Sequence, residues 1–463
     1  MFLCSCASDW ARIKVLKRFH DIFRAIPRLC IYALLIFTPL AVGSAPTWAM
    51  MVIHIITLIA ITSYLIEKIV TWEWQWTRTP IDLPLVALLS VVLLSTIFST
   101  DRYTSIWSLA LLVTYAAVFY LTIHLVSTRS QLRRILQIIV FTACFLSVFG
   151  LIKKAGANPF PWWDYDIGLK RELAMSSSTF GNPNHYAGYL AMALPVCLAM
   201  FLIGLKKSRT ILTGVITLLI SVAIVFSLAR GGWISSCFGV AFMGAALFLS
   251  SKSITISRKV LLIIAGGLFL IGVVFLFSTS AVEEAVTLKK APEDANLQQR
   301  ILVWRHTIQM ISDYPLLGSG PGTYATIFTQ YQPPGIGGRY YMAHNDYLHF
   351  ISETGLPVLV IIGWLTIVVY RFGFKKLAHP SRLVRGSTLG ALAGISAILL
   401  YSVSDFNLHI PANAVLFSVL AAIAVSQPPK LDDTFPIADL LNSRITPPPL
   451  KETLPGLPGG RFA

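Results

Sequence analysis

Arginine and histidine gather in one polar stretch of an otherwise apolar chain. Between Asn296 and Gly355 lie Arg300, Trp304 and Arg305, a glycine-rich turn from Leu317 to Gly322, and then Ala343-His344-Asn345-Asp346-Tyr347-Leu348. A guanidinium stays charged at any relevant pH, and its planar fork matches two phosphate oxygens. Arg300 and Arg230, the latter in Ala229-Arg230-Gly231-Gly232, are therefore the candidates to hold phosphate oxygens, with a solvated helix face the alternative for Arg300 and a snorkelling interfacial residue for Arg230. One such donor is worth ~3–4 kcal/mol by analogy with oxyanion sites. Neutral imidazole is the usual base near pH 7, and His344 is the candidate to take a proton from an attacking hydroxyl. A helix beginning near it would disfavour the charged ring. Asp346 would point about 200° further round such a helix, which leaves the group that orients His344 unidentified. His349 and His185 are the weaker candidates for this role, since each better suits capping or packing against a span. Asn345, Tyr347, Arg305, Asn182 and Asn184 are candidate substrate contacts, with local capping the alternative for Asn345 and Tyr347.

Other motifs fail on their surroundings. Asp164-Tyr165-Asp166 spells the D-x-D of metal-dependent transferases that use nucleotide sugars, but it falls on the outer side, away from cytoplasmic nucleotides; it reads as a polar loop pair. Gly318, Gly320 and Gly322 offer backbone amides to a phosphate. No strand precedes them and no lysine follows, so turn geometry is the default. Trp72, Trp74 and Trp76 read as an interfacial belt. No metal ligand set and no cofactor motif emerges.

The elements that must position these groups are membrane spans. Of 463 residues 55% are hydrophobic and 13% charged, which places the chain in the integral-membrane class. A bilayer core needs ~20 apolar helical residues. Twelve stretches qualify: 29–46, 49–67, 83–99, 107–126, 135–152, 185–205, 210–228, 232–250, 260–279, 355–370, 387–404 and 411–427. Lys and Arg fall in alternate connections, which puts both termini in the cytoplasm. With that topology the cytoplasmic side carries +17 and the outer side −1 of the formal +16, an orientation signal facing anionic lipid and not a nucleic-acid footprint. None of the six cysteines sits in an outward loop, so no disulfide scaffold is expected.

The expected organisation is an all-α polytopic membrane protein of about twelve transmembrane helices with a large periplasmic loop carrying amphipathic helices. It comprises a basic arm at 1–28, nine spans within 29–279, the loop at 280–354, three spans within 355–427 and a proline-rich cytoplasmic tail at 428–463. In the loop, Leu297, Ile301, Trp304, Ile308 and Ile311 predict one apolar helical stripe, and Tyr324, Ile327, Phe328 and Tyr331 a shorter one. His344, Leu348 and Ile351 are expected to share a third helical face. Such helices would lie along the membrane surface. Two further outward stretches are 153–184 and Asp405-Phe406-Asn407-Leu408-His409.

Taken in order, Gly181-Asn182-Pro183-Asn184, Ser227-Leu228-Ala229-Arg230-Gly231-Gly232, Arg300 to Trp304, Pro315 to Gly320, and His344 to Leu348 with Glu353-Thr354-Gly355 resemble the O-antigen ligase and polymerase superfamily. The resemblance covers about residues 170–370 by motif. It implies inverting, metal-free transfer of a glycan from an undecaprenyl-pyrophosphate donor to an acceptor hydroxyl on a lipid or glycan, at the outer face of the bacterial inner membrane. The partners implied are that donor, that acceptor and membrane lipid. A polymerase and a protein O-oligosaccharyltransferase share these motifs. Twelve spans alone would also suit a secondary transporter, but transporters set polar residues near the midplane, and here they cluster at one face.

Overall fold

The computed structural model describes residues 22–72, 74, 77–159, 176–203, 207–249, 295–333 and 338–428. These form α1 (Ile22–Leu40), α2 (Thr47–Thr71), α3 (Asp82–Ile97), α4 (Arg102–Leu125), α5 (Arg129–Lys154), α6 (Pro183–Leu202), α7 (Lys207–Phe226), α8 (Arg230–Leu249), α9 (Ala295–Asp313), α10 (Tyr324–Ile327), α11 (Asp346–Thr354), α12 (Pro357–Lys376), α13 (Arg382–Tyr401) and α14 (Pro411–Val425). No strand occurs among the described residues. By length and composition eight of these helices can cross a membrane, and Asp82–Ile97, Thr210–Phe226 and Pro411–Val425 are shorter apolar helices. Each expected span other than 260–279 overlaps one of these helices, three of them the shorter ones; that one, like Asp164, Asp166 and Trp76, lies outside the described residues.

The axis of the bundle is α6 against α13. Both are buried along most of their length, whereas α2 and α12 turn Ile55, Leu58, Val360 and Ile367 outward, as lipid-facing helices do. The close approach of α6 and α13 depends on Gly386, Gly390 and Gly394, spaced four apart on one face. A Cβ on Gly390 would lie 2.9 Å from Ala199 Cβ, and one on Gly394 would lie 2.6 Å from Met192 O. Small residues at this spacing let two helices pack backbone to backbone inside a bilayer. Pro183, Pro357 and Pro411 each open a helix, where the missing N–H costs nothing.

The polar shelf differs from expectation in two places. On α9 the buried face is Val303, Thr307, Met310 and Ile311; Ile311 keeps its expected place, while Ile301 and Ile308 point outward at 39% and 52% exposure. Thr307, a polar type that the apolar pattern skips, pairs its hydroxyl with Tyr324 Oη at 2.8 Å, and that contact selects the inner face. The second difference is His344. Asn345 caps α11 by accepting the Leu348 N–H at 3.0 Å, so His344 precedes the helix and shares no face with Leu348. The stretch from Tyr324 is helical as expected, closing with a 3-10 turn at Phe328–Gln330.

The glycine-rich turn binds a carboxylate of its own chain. Glu353, buried at the end of α11, accepts the Gly322 N–H at 2.8 Å and the Tyr324 N–H at 2.9 Å, while Ser319 and Gly320 N–H donate to the carbonyls of Ser352 and Glu353. These amides are therefore spent on the loop's own anchor. Gly318 has φ +66°, and an added Cβ would sit 2.0 Å from the Glu353 carbonyl carbon. A side chain there meets both backbone strain and rigid main chain. Gly318→Ala is expected to destabilise the detergent-solubilised protein by at least ~2 kcal/mol, seen as a lowered thermal midpoint and reduced membrane abundance.

Candidate active site

The turn from Tyr401 to His409, between α13 and α14, is where the polar side chains converge. Three helices start against it. Asp346 N–H, at the start of α11, donates to Ser402 O at 2.8 Å and to Asp405 O at 3.2 Å. The start of α8 packs so closely that a Cβ on Gly231 would lie 2.4 Å from Tyr401 Cε2 and 3.1 Å from Ser404 Oγ. At the start of α6 the His185 ring meets Phe406 edge-on at 4.7 Å. Helix N-termini carry partial positive charge, so three of them together favour an anion.

Asp405 is the centre of this arrangement. It is 1% exposed, accepts the Phe406 N–H at 2.9 Å, and holds His344 Nδ1 at 3.3 Å from its Oδ1. Its Oδ2 lies 3.9 Å from Arg300 Nη2, and Arg300 Nη1 donates to Ser404 O. Burial pushes the carboxyl upward, but the hydrogen bond from His344 and the charge of Arg300 outweigh it and hold Asp405 at about 2. It is therefore ionised at any physiological pH. Arg300 and His344 remain 28% and 29% exposed, so each shows a free edge on the outside of the buried carboxylate.

His344 is set by its backbone as well as by Asp405. It adopts φ +51°, a left-handed conformation uncommon outside glycine, though histidine, asparagine and aspartate tolerate it better than other residues. Trp304 Nε1 pins the preceding residue through Ala343 O at 3.0 Å, and Phe406 stands edge-on to the imidazole at 5.0 Å. Leu228, two residues before Arg230, is left-handed too, with φ +54°. Strained backbone of this kind persists where surrounding contacts over-determine it, commonly at functional sites. Arg230 opens α8, one residue before Gly231, which meets the Ser404 side chain.

The other candidates are placed as follows. Asn182 caps α6 through the Asn184 N–H at 2.8 Å, with Asn184 half-buried one residue before His185. Asn345 caps α11. Tyr347 Oη donates to Leu399 O at 2.8 Å, and its ring lines an apolar cavity of about 230 Å³ with Leu88, Tyr115, Phe350, Ile362 and Phe417. Arg305 is exposed on α9, about 140° round the helix from Arg300. Asp346 bonds the 402–409 turn and not His344. The group that orients His344 is Asp405, 61 residues away in sequence.

Ligand-type atoms of His349, Glu353 and His409 lie within 4.8 Å of one another. His349 Nδ1 accepts the Ala343 N–H at 3.3 Å, so its proton sits on Nε2, 3.2 Å from Glu353 Oε1. Burial and the neighbouring His409 push His349 down, against the pull of Glu353. Burial raises the Glu353 carboxyl, but His349 and the backbone amides hold it below its usual range. The cluster is a hydrogen-bonded clamp on the glycine-rich turn.

Residues 215–363 match the O-antigen ligase family. That match supports a place in the O-antigen ligase superfamily. No curated protein matches the chain. The matched stretch contains Arg230, Arg300, the glycine-rich turn and His344, and ends before Asp405. With this match and eight candidate spans among the described residues, the chain reads as a multi-pass membrane protein.

Proposed function

We propose that the chain is an inverting glycosyltransferase that moves a glycan from an undecaprenyl-pyrophosphate donor to an acceptor hydroxyl at the periplasmic face of the inner membrane. The observation that carries this reading is one turn holding an ionised aspartate, a partly exposed histidine and a partly exposed arginine together. The His344 Nδ1–H donates to Asp405, leaving Nε2 as the lone-pair nitrogen. Nε2 takes the acceptor proton, and the acceptor oxygen forms its bond to the anomeric carbon. The bond from that carbon to the phosphate oxygen breaks on the opposite side, and the pyrophosphate leaves with the electron pair. Arg300 and Arg230, with the N-termini of α6, α8 and α11, stabilise the departing charge. The apolar cavity beneath α11 is consistent with a lipid substrate. The outward loop at 280–354 and the cytoplasmic termini belong to this proposal.

Reconstitution with a synthetic undecaprenyl-pyrophosphate glycan and candidate acceptors tests it. One undecaprenyl pyrophosphate should be released per glycosylated acceptor, at a rate unchanged by EDTA. Uptake of solute into proteoliposomes with no glycan turnover would overturn the reading in favour of transport. Product length separates the two members of the class: capping of a finished chain is ligation, and stepwise lengthening of a lipid-linked chain is polymerisation.

A further inference from the structure

A second carboxylate–imidazole pair lies behind the first. Asp346 is 1% exposed and spends its polar atoms on the turn that carries Asp405. Its Oδ2 accepts the Ser402 hydroxyl at 2.7 Å and the Leu408 N–H at 3.0 Å, and its Oδ1 meets His409 Nδ1 at 2.5 Å. Its own N–H donates to Ser402 O and Asp405 O. These contacts fall on both sides of Asp405 in sequence, so Asp346 clamps the turn across the residue that holds His344.

We propose that Asp346 and His409 are positioning residues for the transfer reaction, fixing the 402–409 turn so that Asp405 Oδ1 meets His344 Nδ1. This rests on the reading of His344 and Asp405 as the base and its orienting partner. A misplacement of about 1 Å in such a pair costs on the order of 100-fold in rate. The carboxylate is not interchangeable with an amide. Three donors converge on it, and an amide would turn its NH2 toward the Ser402 hydroxyl and Leu408 N–H or toward His409. His409 is matched to this task on its other side, stacking on Phe350 at 4.6 Å and lying 4.2 Å from the His349 ring. The charged and titratable groups facing it are Asp346, His349 and Glu353. Burial opposes its charge, but the Asp346 hydrogen bond and the two carboxylates raise its pKa above the ordinary histidine value.

The test is kcat and KM per folded molecule for Asp346→Asn, His409→Phe and His409→Asn, with His344→Asn and Asp405→Asn alongside. Phenylalanine keeps the stack on Phe350 and removes Nδ1; asparagine places an N–H where Nδ1 was. Asp346→Asn and His409→Phe should lower kcat by ~10–100-fold with KM for the donor within about threefold, and His409→Asn should recover most of the loss. If Asp346→Asn fails to fold, the His409 pair decides. Wild-type kcat per folded molecule in His409→Phe, or equal losses in His409→Phe and His409→Asn, would overturn the proposal. Wild-type turnover in His344→Asn or Asp405→Asn would instead remove the reading on which it rests.

Discussion

His344→Asn is expected to lower glycan transfer by ~10²–10⁴-fold, the range a positioned base contributes, while the protein reaches the membrane in normal amount. The substitution is chosen for the backbone. At φ +51° an alanine would add strain, whereas asparagine adopts this conformation readily and keeps a donor near Asp405. What asparagine lacks is a basic nitrogen on the outer edge. The surrounding scaffold should survive, because Trp304 holds Ala343 and Asn345 caps α11 independently of the His344 side chain. His344→Gly should be as inactive, since glycine also fits this φ, and added imidazole should restore part of its rate by filling the space left behind. The measurement is single-turnover release of undecaprenyl pyrophosphate, compared with the thermal midpoint of the same preparation. Wild-type-like release in either variant would take His344 out of the base role.

How far this site was legible depended on whether a signal was local or made by folding. Arg300, His344 and the glycine-rich turn stood out because charge and helix-breaking residues are rare in an apolar chain, and that contrast survives without coordinates. The helical stretches were legible for the same reason, since apolar length alone marks them. The role of Asp405 was not. It lay in an outward stretch already recognised as polar, but only the crossing of α11 over the 402–409 turn brings it to His344. Pairing at a separation of 61 residues leaves no periodicity to read. Glu353 was hidden similarly: turn geometry was the default reading of the three glycines, and the carboxylate that takes their amides lies beyond the following helix, at the end of α11. The α9 stripe was misread at Ile301 and Ile308, though not at Ile311, because Thr307 pays for its burial with a hydroxyl bond to Tyr324, a partner that hydrophobicity does not weigh. The Gly386, Gly390 and Gly394 ridge carries a local signature and was open to reading from spacing alone.

Asp405→Asn should be as damaging as loss of the imidazole, ~10³–10⁴-fold in kcat by analogy with an aspartate that orients a catalytic histidine. The amide preserves size and removes the charge that two groups use. It can turn its NH2 toward His344 Nδ1, which would move the ring proton to Nε2 and leave no lone pair facing the acceptor. It also releases Arg300 from its 3.9 Å partner, so the guanidinium loses one of the two contacts that aim it. The wild-type carboxyl, held at about 2, contributes stability above its unfolded value near 4 and loses it as pH falls toward 2. The variant should therefore lose less stability than the wild type on acidification through that window. Because His344 and Asp405 act as one unit, the double variant His344→Asn/Asp405→Asn should be no slower than the slower single variant. Additive losses would mean that the two residues serve separate steps, and the dyad would have to be abandoned for two independent contacts.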